Sequence, residues 1–140
     1  MPIMLKLILE QHTKSVNDIK GLIPLMVLAA QNEYDEWDQS DPENDWLNGG
    51  GICQEIAEAI AGVLNNHGIE VMTVDSNGMG EQHVWAIARV VEGIFGVDID
   101  PSKYETGGGY TWKKRPGIKF DNRSIDIYEM DGDWDEMGKY

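Results

Sequence analysis

The apolar residues change their spacing at Gly68, and this change constrains the fold more than any other feature of the sequence. Before it, Ile56, Ile60 and Leu64 recur at the spacing of one helix face. After it, the residues follow the two-residue period of strands, first over 69–74. A helix followed by short strands predicts an α+β fold with an antiparallel sheet.

Three further stretches predict the rest of the sheet and the helices that accompany it. The segment 83–100 reads as two strands joined at Glu92-Gly93, a pair suited to a two-residue primed turn. The segment 125–130 predicts another strand, and 15–37 predicts one or two N-terminal helices. The expected layout is N-terminal helices, then a helix packed on a small antiparallel sheet.

The charge of the chain argues against one class of partner and permits another. There are 25 acidic and 11 basic residues, a formal net charge of −14. Binding to nucleic-acid phosphates needs clustered lysines and arginines, so we expect no nucleic-acid partner. The acidic segments 33–45 and 129–136 favour either solvated surfaces or a basic protein partner.

Length and composition also predict the number of domains and the cellular location of the protein. A length of 140 residues predicts one domain. No apolar run approaches the roughly 18 residues of a membrane span, and the first residues lack the pattern of a signal peptide. The single cysteine suits a reducing compartment. We expect a cytoplasmic protein without membrane binding, and the sequence leaves its oligomeric state open.

The cysteine, Cys53, follows three glycines in GGGICQE and precedes the predicted helix. A cysteine nucleophile needs a thiolate, a base and a group that orients the base. The free N–H groups and the dipole of a helix N-terminus favour the thiolate. The glycines leave the sulfur approachable. Cys53 is therefore the candidate nucleophile, and the alternative is a small side chain packed in the core.

The sequence has 3 histidines from which the base must come. His12 and His67 lie at the ends of predicted elements, and His67 is expected at the surface or in a helix cap. His83 opens a predicted strand directly after a glycine-bearing loop, with Trp85 on the same face. His83 is therefore the candidate base.

The register of the predicted hairpin nominates the orienting group. With Glu92-Gly93 as the turn, His83, Asp98 and Asp100 share one face of the two strands. Asp100 is then the diagonal neighbour of His83, on the order of 7 Å away between backbones, and Asp98 lies one pair further away. We expect Asp100 to orient His83, with Asp98 in reserve, because a bulge would shift the pairing.

Two stretches, GGGICQEIAEAIAGVLNNHGIEVMTV and HVWAIARVVEGIFGVDIDP, together resemble the core of the transglutaminase-like superfamily, relatives of papain-type cysteine peptidases. That core has a cysteine at a helix start, a helix ending in GI, a histidine and tryptophan on one strand, and an aspartate on the next. The resemblance implies a papain/transglutaminase-like fold over residues 49–101. It also implies Cys53 as nucleophile, His83 as general base and acid, and Asp100 as the orienting carboxylate.

The resemblance implies acyl transfer at an amide of a protein or peptide substrate, through a thioester. The reaction would be peptide hydrolysis or deamidation, with cross-linking less expected, and no cofactor or metal is implied. The backbone N–H of Cys53 is one expected oxyanion donor. Further candidates for oxyanion or substrate contacts are the side chains of Trp46, Asn48, Gln54, Trp85, Tyr110 and Trp112.

The expected organisation is therefore a single domain, 1–140, in three parts. Residues 1–48 carry the N-terminal helices and an acidic loop, and 49–101 form the Cys-His-Asp core. Residues 102–140 carry a flap-like loop with Tyr110 and Trp112, a candidate edge strand and an acidic tail.

A second hypothesis belongs to another class of protein. In it, the chain is a non-catalytic acidic binding protein that keeps the fold and masks a basic protein partner. An enzyme needs Cys53 close to His83 and loses turnover in Cys53→Ala. A binder tolerates that substitution and fails when the acids of 33–45 are neutralised.

Overall fold

The computed structural model describes residues 14–37, 52–75, 83–106 and 113–137. The helices in these ranges are α1 (Val16–Gly21), α2 (Ile23–Glu36), α3 (Ile52–Asn66) and α4 (Trp134–Met137). The strands are β1 (Glu70–Asp75), β2 (Val84–Val90), β3 (Gly93–Ile99), β4 (Glu105–Thr106), β5 (Lys113–Lys114) and β6 (Ile125–Met130). Short 3₁₀ turns span Pro101–Lys103 and Asn122–Ser124.

The two N-terminal helices begin where the sequence supplies start signals. The Ser15 hydroxyl accepts the backbone N–H of Asp18, whose carboxylate accepts the backbone N–H of Ser15 at 2.8 Å, so α1 opens on a capping box. Helix α2 follows after Leu22 and has Pro24 in its first turn, where a missing N–H breaks no helical hydrogen bond.

Helix α3 carries the apolar stripe that the sequence predicts. Ile56, Ile60 and Leu64 are buried, and each such side chain contributes about 1.5–3 kcal/mol relative to an exposed one. The helix is followed by Gly68 with φ of 79°, a left-handed conformation that favours glycine. The N–H of Ile69 then donates to the Leu64 carbonyl at 3.0 Å and closes the helix end.

Four strands form one sheet in the order β1-β2-β3-β6, and each neighbouring pair is antiparallel. This confirms the α+β class and the antiparallel sheet expected from the sequence. Strands β1 and β6 lie at the two edges. In the parts of the chain that the structure describes, no helix is long and apolar enough to cross a membrane.

The two faces of the sheet have different partners, because successive side chains of a strand point to opposite sides. One face packs on the helices and contributes Ala86, Ala88, Val97 and Ile99 to the main core. The other face carries a smaller cluster built on Val74, Ile87 and Ile94, which α4 covers with Trp134 and Met137. The candidate histidine and aspartates belong to strands or strand ends of this sheet.

The turn between β2 and β3 differs from the prediction. Val90 lies opposite Gly93, so the turn residues are Val91 and Glu92 rather than Glu92 and Gly93. Contacts to the N-terminal segment hold this turn: the Val91 N–H donates to the Lys14 carbonyl at 2.9 Å, and Glu92 accepts the N–H of Val16 at 3.1 Å. These partners lie far away in the sequence, so the position of the turn cannot be predicted from the residues of the turn alone. The change keeps the predicted faces but changes which residues are neighbours across the strands.

Candidate active site

Cys53 lies in the first turn of α3, where backbone N–H groups have no acceptor within the helix. Its thiol is not in a disulfide, and the side chain is half-buried against the main core. The positive end of the helix dipole contributes about 0.3–1 kcal/mol in favour of an anion at such a position. The sulfur therefore lies beside the backbone N–H groups at the start of α3 and remains partly accessible.

His83 lies immediately before β2, and its ring meets two partners there. Its Nε2 is 2.6 Å from Oδ2 of Asp98. The side chain of Cys53 lies within hydrogen-bonding reach of the same ring. Trp85 stacks on the imidazole, with ring centroids 5.7 Å apart and planes inclined by 16°. One imidazole thus connects a carboxylate to the thiol.

The charges around His83 decide its protonation state. Burial acts to lower the pKa of His83, because a charged ring is poorly solvated inside the protein. Hydrogen bonds to Asp98 and Cys53, together with their negative charges, outweigh burial and raise that pKa to about 10. The ring is therefore an imidazolium at neutral pH, between the carboxylate and the sulfur.

Asp98 is the buried member of the group, with 8% of its surface exposed. Burial raises its pKa, while the hydrogen bond and the positive charge of His83 and a backbone hydrogen bond at Ile99 act in the opposite direction. A contact of 2.6 Å between a carboxylate and an imidazolium is a charge-assisted hydrogen bond, which is stronger than a neutral one. Asp98 therefore holds the ring of His83 in place.

The prediction that Asp100 orients His83 is wrong. The Asp100 carboxylate accepts the backbone N–H of Ser102 at 2.9 Å and caps the 3₁₀ turn Pro101–Lys103. This hydrogen bond lowers the pKa of Asp100. Continuing the observed β2–β3 register makes Asp98 the diagonal neighbour of His83, the place predicted for Asp100. The reserve candidate is thus the one that meets the imidazole.

Several acidic side chains lie close to one another near the start of α3. Glu55, two residues after Cys53, has a pKa raised by burial and further by the charges of Glu58 and Glu33. Burial and these like charges favour the protonated form of Glu55.

Of the other predicted site residues, Gln54 and Trp85 lie within the described ranges and four do not. The Gln54 amide donates to Glu58 Oε1 at 3.2 Å, one helical turn further along α3. Trp85 supports the ring of His83. The remaining four candidates, Trp46, Asn48, Tyr110 and Trp112, lie outside the described residues.

The other two histidines, His12 and His67, lie outside the candidate site or outside the described residues. Nδ1 of His67 lies 2.8 Å from the carbonyl of Val63, at the end of α3, which fits the predicted role in a helix cap. His12 lies outside the described residues. Within the described ranges, no three histidine, cysteine or acidic side chains are grouped so that they could hold a metal ion.

Sequence reasoning missed two residues beside the site, Tyr128 and Gly96. They lie opposite each other on β6 and β3. The alternation of IDIYEM places Tyr128 on the same face as Asp126, so its face is readable from the sequence. The pairing of β6 with β3 is not, because these strands are separated by the whole segment 100–124.

The chain matches no protein-family model, and neither the curated proteins nor the solved structures give a match.

Proposed function

We propose that this chain is a cysteine-dependent acyl-transfer enzyme that acts on an amide of a protein or peptide. One observation carries the proposal: the imidazole of His83 is hydrogen-bonded to the buried carboxylate of Asp98 and lies within hydrogen-bonding reach of the Cys53 side chain at the start of a helix. A nucleophile, a base and an orienting group in this sequence of contacts are the requirements of covalent cysteine catalysis.

In the acylation step, the Cys53 thiolate attacks the carbonyl carbon of the amide and forms a carbon–sulfur bond. The carbonyl electrons move to oxygen and give a tetrahedral oxyanion. His83, as the imidazolium, then donates its proton to the amide nitrogen, and the carbon–nitrogen bond breaks. The amine leaves, and the acyl group remains on Cys53 as a thioester.

In the deacylation step, neutral His83 takes a proton from the acceptor while the acceptor oxygen or nitrogen attacks the thioester. The carbon–sulfur bond breaks and returns the thiolate. With water as acceptor the product is a carboxylic acid, so the overall reaction is peptide hydrolysis or deamidation. With an amine as acceptor the product is a new amide. We favour water, as in hydrolysis or deamidation.

The structure supports one donor for the oxyanion. The N–H of Cys53 lies in the first turn of α3 and has no acceptor within the helix, so it is available to a negatively charged oxygen beside the sulfur. A preorganised backbone donor of this kind is worth about 2.7–4 kcal/mol in the transition state.

An unspecific acyl donor tests the chemistry without knowledge of the natural substrate. The wild-type protein should hydrolyse p-nitrophenyl acetate with turnover and carry an acetyl group on Cys53, identified by intact mass and removed by hydroxylamine. Cys53→Ser and His83→Gln should lose turnover while remaining folded. Turnover equal in wild type and Cys53→Ser would overturn the proposal.

A second assay identifies the reaction. Dimethylated casein offers peptide bonds and glutamine side chains, and its own amines are blocked. New amino termini indicate peptide hydrolysis, released ammonia without new termini indicates deamidation, and incorporation of an added fluorescent amine indicates cross-linking. We expect one of the first two, dependent on Cys53.

A further inference from the structure

The aromatic ring of Tyr128 lies across the neighbouring strand rather than standing above its own. Tyr128 is on β6, opposite Gly96 of β3. A methyl group built at residue 96 would overlap the far end of the ring, with the tyrosine hydroxyl only 2.7 Å away. Only glycine at position 96 therefore leaves room for the ring in this place.

This position brings Tyr128 next to the buried carboxylate of the candidate site. Asp98 lies opposite Asp126, two residues from Tyr128, so Asp98 and Tyr128 are diagonal neighbours on one face of the sheet. Burial and then the charges of Asp98 and Asp126 raise the pKa of Tyr128 to about 12. Tyr128 is 41% exposed, while Asp98 beside it is 8% exposed.

We propose that Tyr128 is a positioning residue, whose ring lies across Gly96 and excludes water from the Asp98 carboxylate so that Asp98 keeps its hydrogen bond to His83. The role in catalysis rests on the function proposed above. The shielding of Asp98 does not, and it is measurable by itself.

The physical effect of the ring is on the strength of one hydrogen bond. Water admitted to a carboxylate competes for its lone pairs and raises the local dielectric, and both weaken a charge-assisted hydrogen bond. A looser bond lets the imidazole of His83 rotate away from Cys53. The ring of Tyr128 acts through Asp98 and needs no contact with a substrate.

Charged and titratable groups from the neighbouring strands and strand ends surround Asp98. His83 lies before β2, Asp100 directly follows the end of β3, and Asp126 and Tyr128 come from β6. Cys53 on α3 interacts with the imidazole of His83 rather than with Asp98 itself. Of these, Tyr128 is the group that can be altered without removing a formal charge at neutral pH.

The experiment compares Tyr128→Ala, Tyr128→Phe and Gly96→Ala with the wild type. The first readout is the titration of the Asp98 carboxyl carbon by NMR, and the second is the rate at which iodoacetamide alkylates Cys53 at about pH 6. Gly62→Ala is the matched glycine control, because a methyl group at residue 62 meets no atom within 4 Å. Circular dichroism confirms that each variant is folded.

In Tyr128→Ala, the loss of burial lowers the pKa of Asp98, while a weaker hydrogen bond to His83 raises it. Burial is the larger of these two influences on Asp98, so Asp98 should titrate at lower pH in this variant. Alkylation in that variant should slow by about three- to tenfold, the equivalent of weakening one buried hydrogen bond. Gly96→Ala displaces the ring and should reproduce both changes. Tyr128→Phe keeps the ring, and Gly62→Ala leaves the site untouched, so both should match the wild type.

Other results overturn the inference. An unchanged Asp98 titration in Tyr128→Ala contradicts shielding, and an equal shift in Tyr128→Phe assigns the effect to the hydroxyl. If Gly96→Ala gives the same Asp98 titration and the same alkylation rate as the wild type, the position of the ring over β3 does not protect Asp98. Should alkylation not depend on His83 in any background, the proposed function fails, whereas an altered Asp98 titration would still show that Tyr128 shields the carboxylate.

Discussion

Nε2 of His83 lies 2.6 Å from Oδ2 of Asp98, so this ring nitrogen is occupied by the carboxylate. In the proposed mechanism, proton exchange with Cys53 therefore uses the other ring nitrogen, Nδ1, which is buried. A carboxylate on one nitrogen fixes the orientation of the ring and stabilises its charged form. The proposed mechanism therefore depends on Asp98 and not on Asp100.

The two neighbouring aspartates provide the first prediction. Asp98→Asn removes the charge that holds and stabilises the imidazolium, so turnover of p-nitrophenyl acetate should fall by roughly 10²–10⁴-fold. Asp100→Asn makes the same chemical change two residues away and keeps a side chain able to cap the 3₁₀ turn, so activity should stay within about twofold. Steady-state kinetics on both variants checks this. Equal losses in the two variants would contradict the assignment of Asp98.

The second prediction concerns the pH dependence of stability. The pKa of His83 is raised from about 6.5 in an unfolded chain to about 10 in the folded protein. The stability that this contributes is fully present below about pH 6.5 and is lost as the pH rises toward about 10. Urea denaturation of the wild type and His83→Gln at several pH values measures it. The difference in unfolding free energy should shrink across this range, and a constant difference would contradict the raised pKa.

Trp85 provides the third prediction. Its ring stacks on His83, and its Nε1 is buried without a hydrogen-bond partner among the described residues. Trp85→Phe keeps an aromatic surface and removes a buried donor that has lost its hydration, so the stability cost should stay below about 1.5 kcal/mol. Trp85→Ala removes the stack and should cost about 3–5 kcal/mol. Thermal and urea unfolding test both, and similar costs for the two variants would count against the stacking role.

Two glycines on either side of the end of α3 give the fourth prediction. Gly68→Ala forces a side chain into the left-handed conformation at φ of 79° and should destabilise the protein by about 1 kcal/mol. Gly62→Ala lies inside the helix, where a methyl group meets no atom within 4 Å, and should stabilise by about 0.5–1 kcal/mol. Urea denaturation measures both. The account of the helix end fails if the two substitutions change stability in the same direction.

The elements of the fold are predictable where one local pattern decides them. The stripe of Ile56, Ile60 and Leu64 with the glycine cap at Gly68 predicts α3 because the helix period and the cap agree. The strands follow from their two-residue period. The residue types of the site, a helix-start cysteine and a strand-end histidine, are also visible in the sequence.

The parts that were not predictable depend on distant contacts. The turn at Val91 and Glu92 is held by Lys14 and Val16, more than seventy positions away in the chain. That turn decides which aspartate is diagonal to His83, so the choice between Asp98 and Asp100 required the tertiary structure. The place of Tyr128 over Gly96 depends on the pairing of β6 with β3, which no local pattern specifies.

The most direct test of the account is the rate of Cys53 alkylation by iodoacetamide as a function of pH, in the wild type and in His83→Ala. The protein has 1 cysteine, so the modified residue is unambiguous. A thiolate paired with the imidazolium of His83 should react rapidly at about pH 6, and His83→Ala should slow that reaction at least about tenfold. A rate at this pH that is the same in the wild type and in His83→Ala would contradict the account.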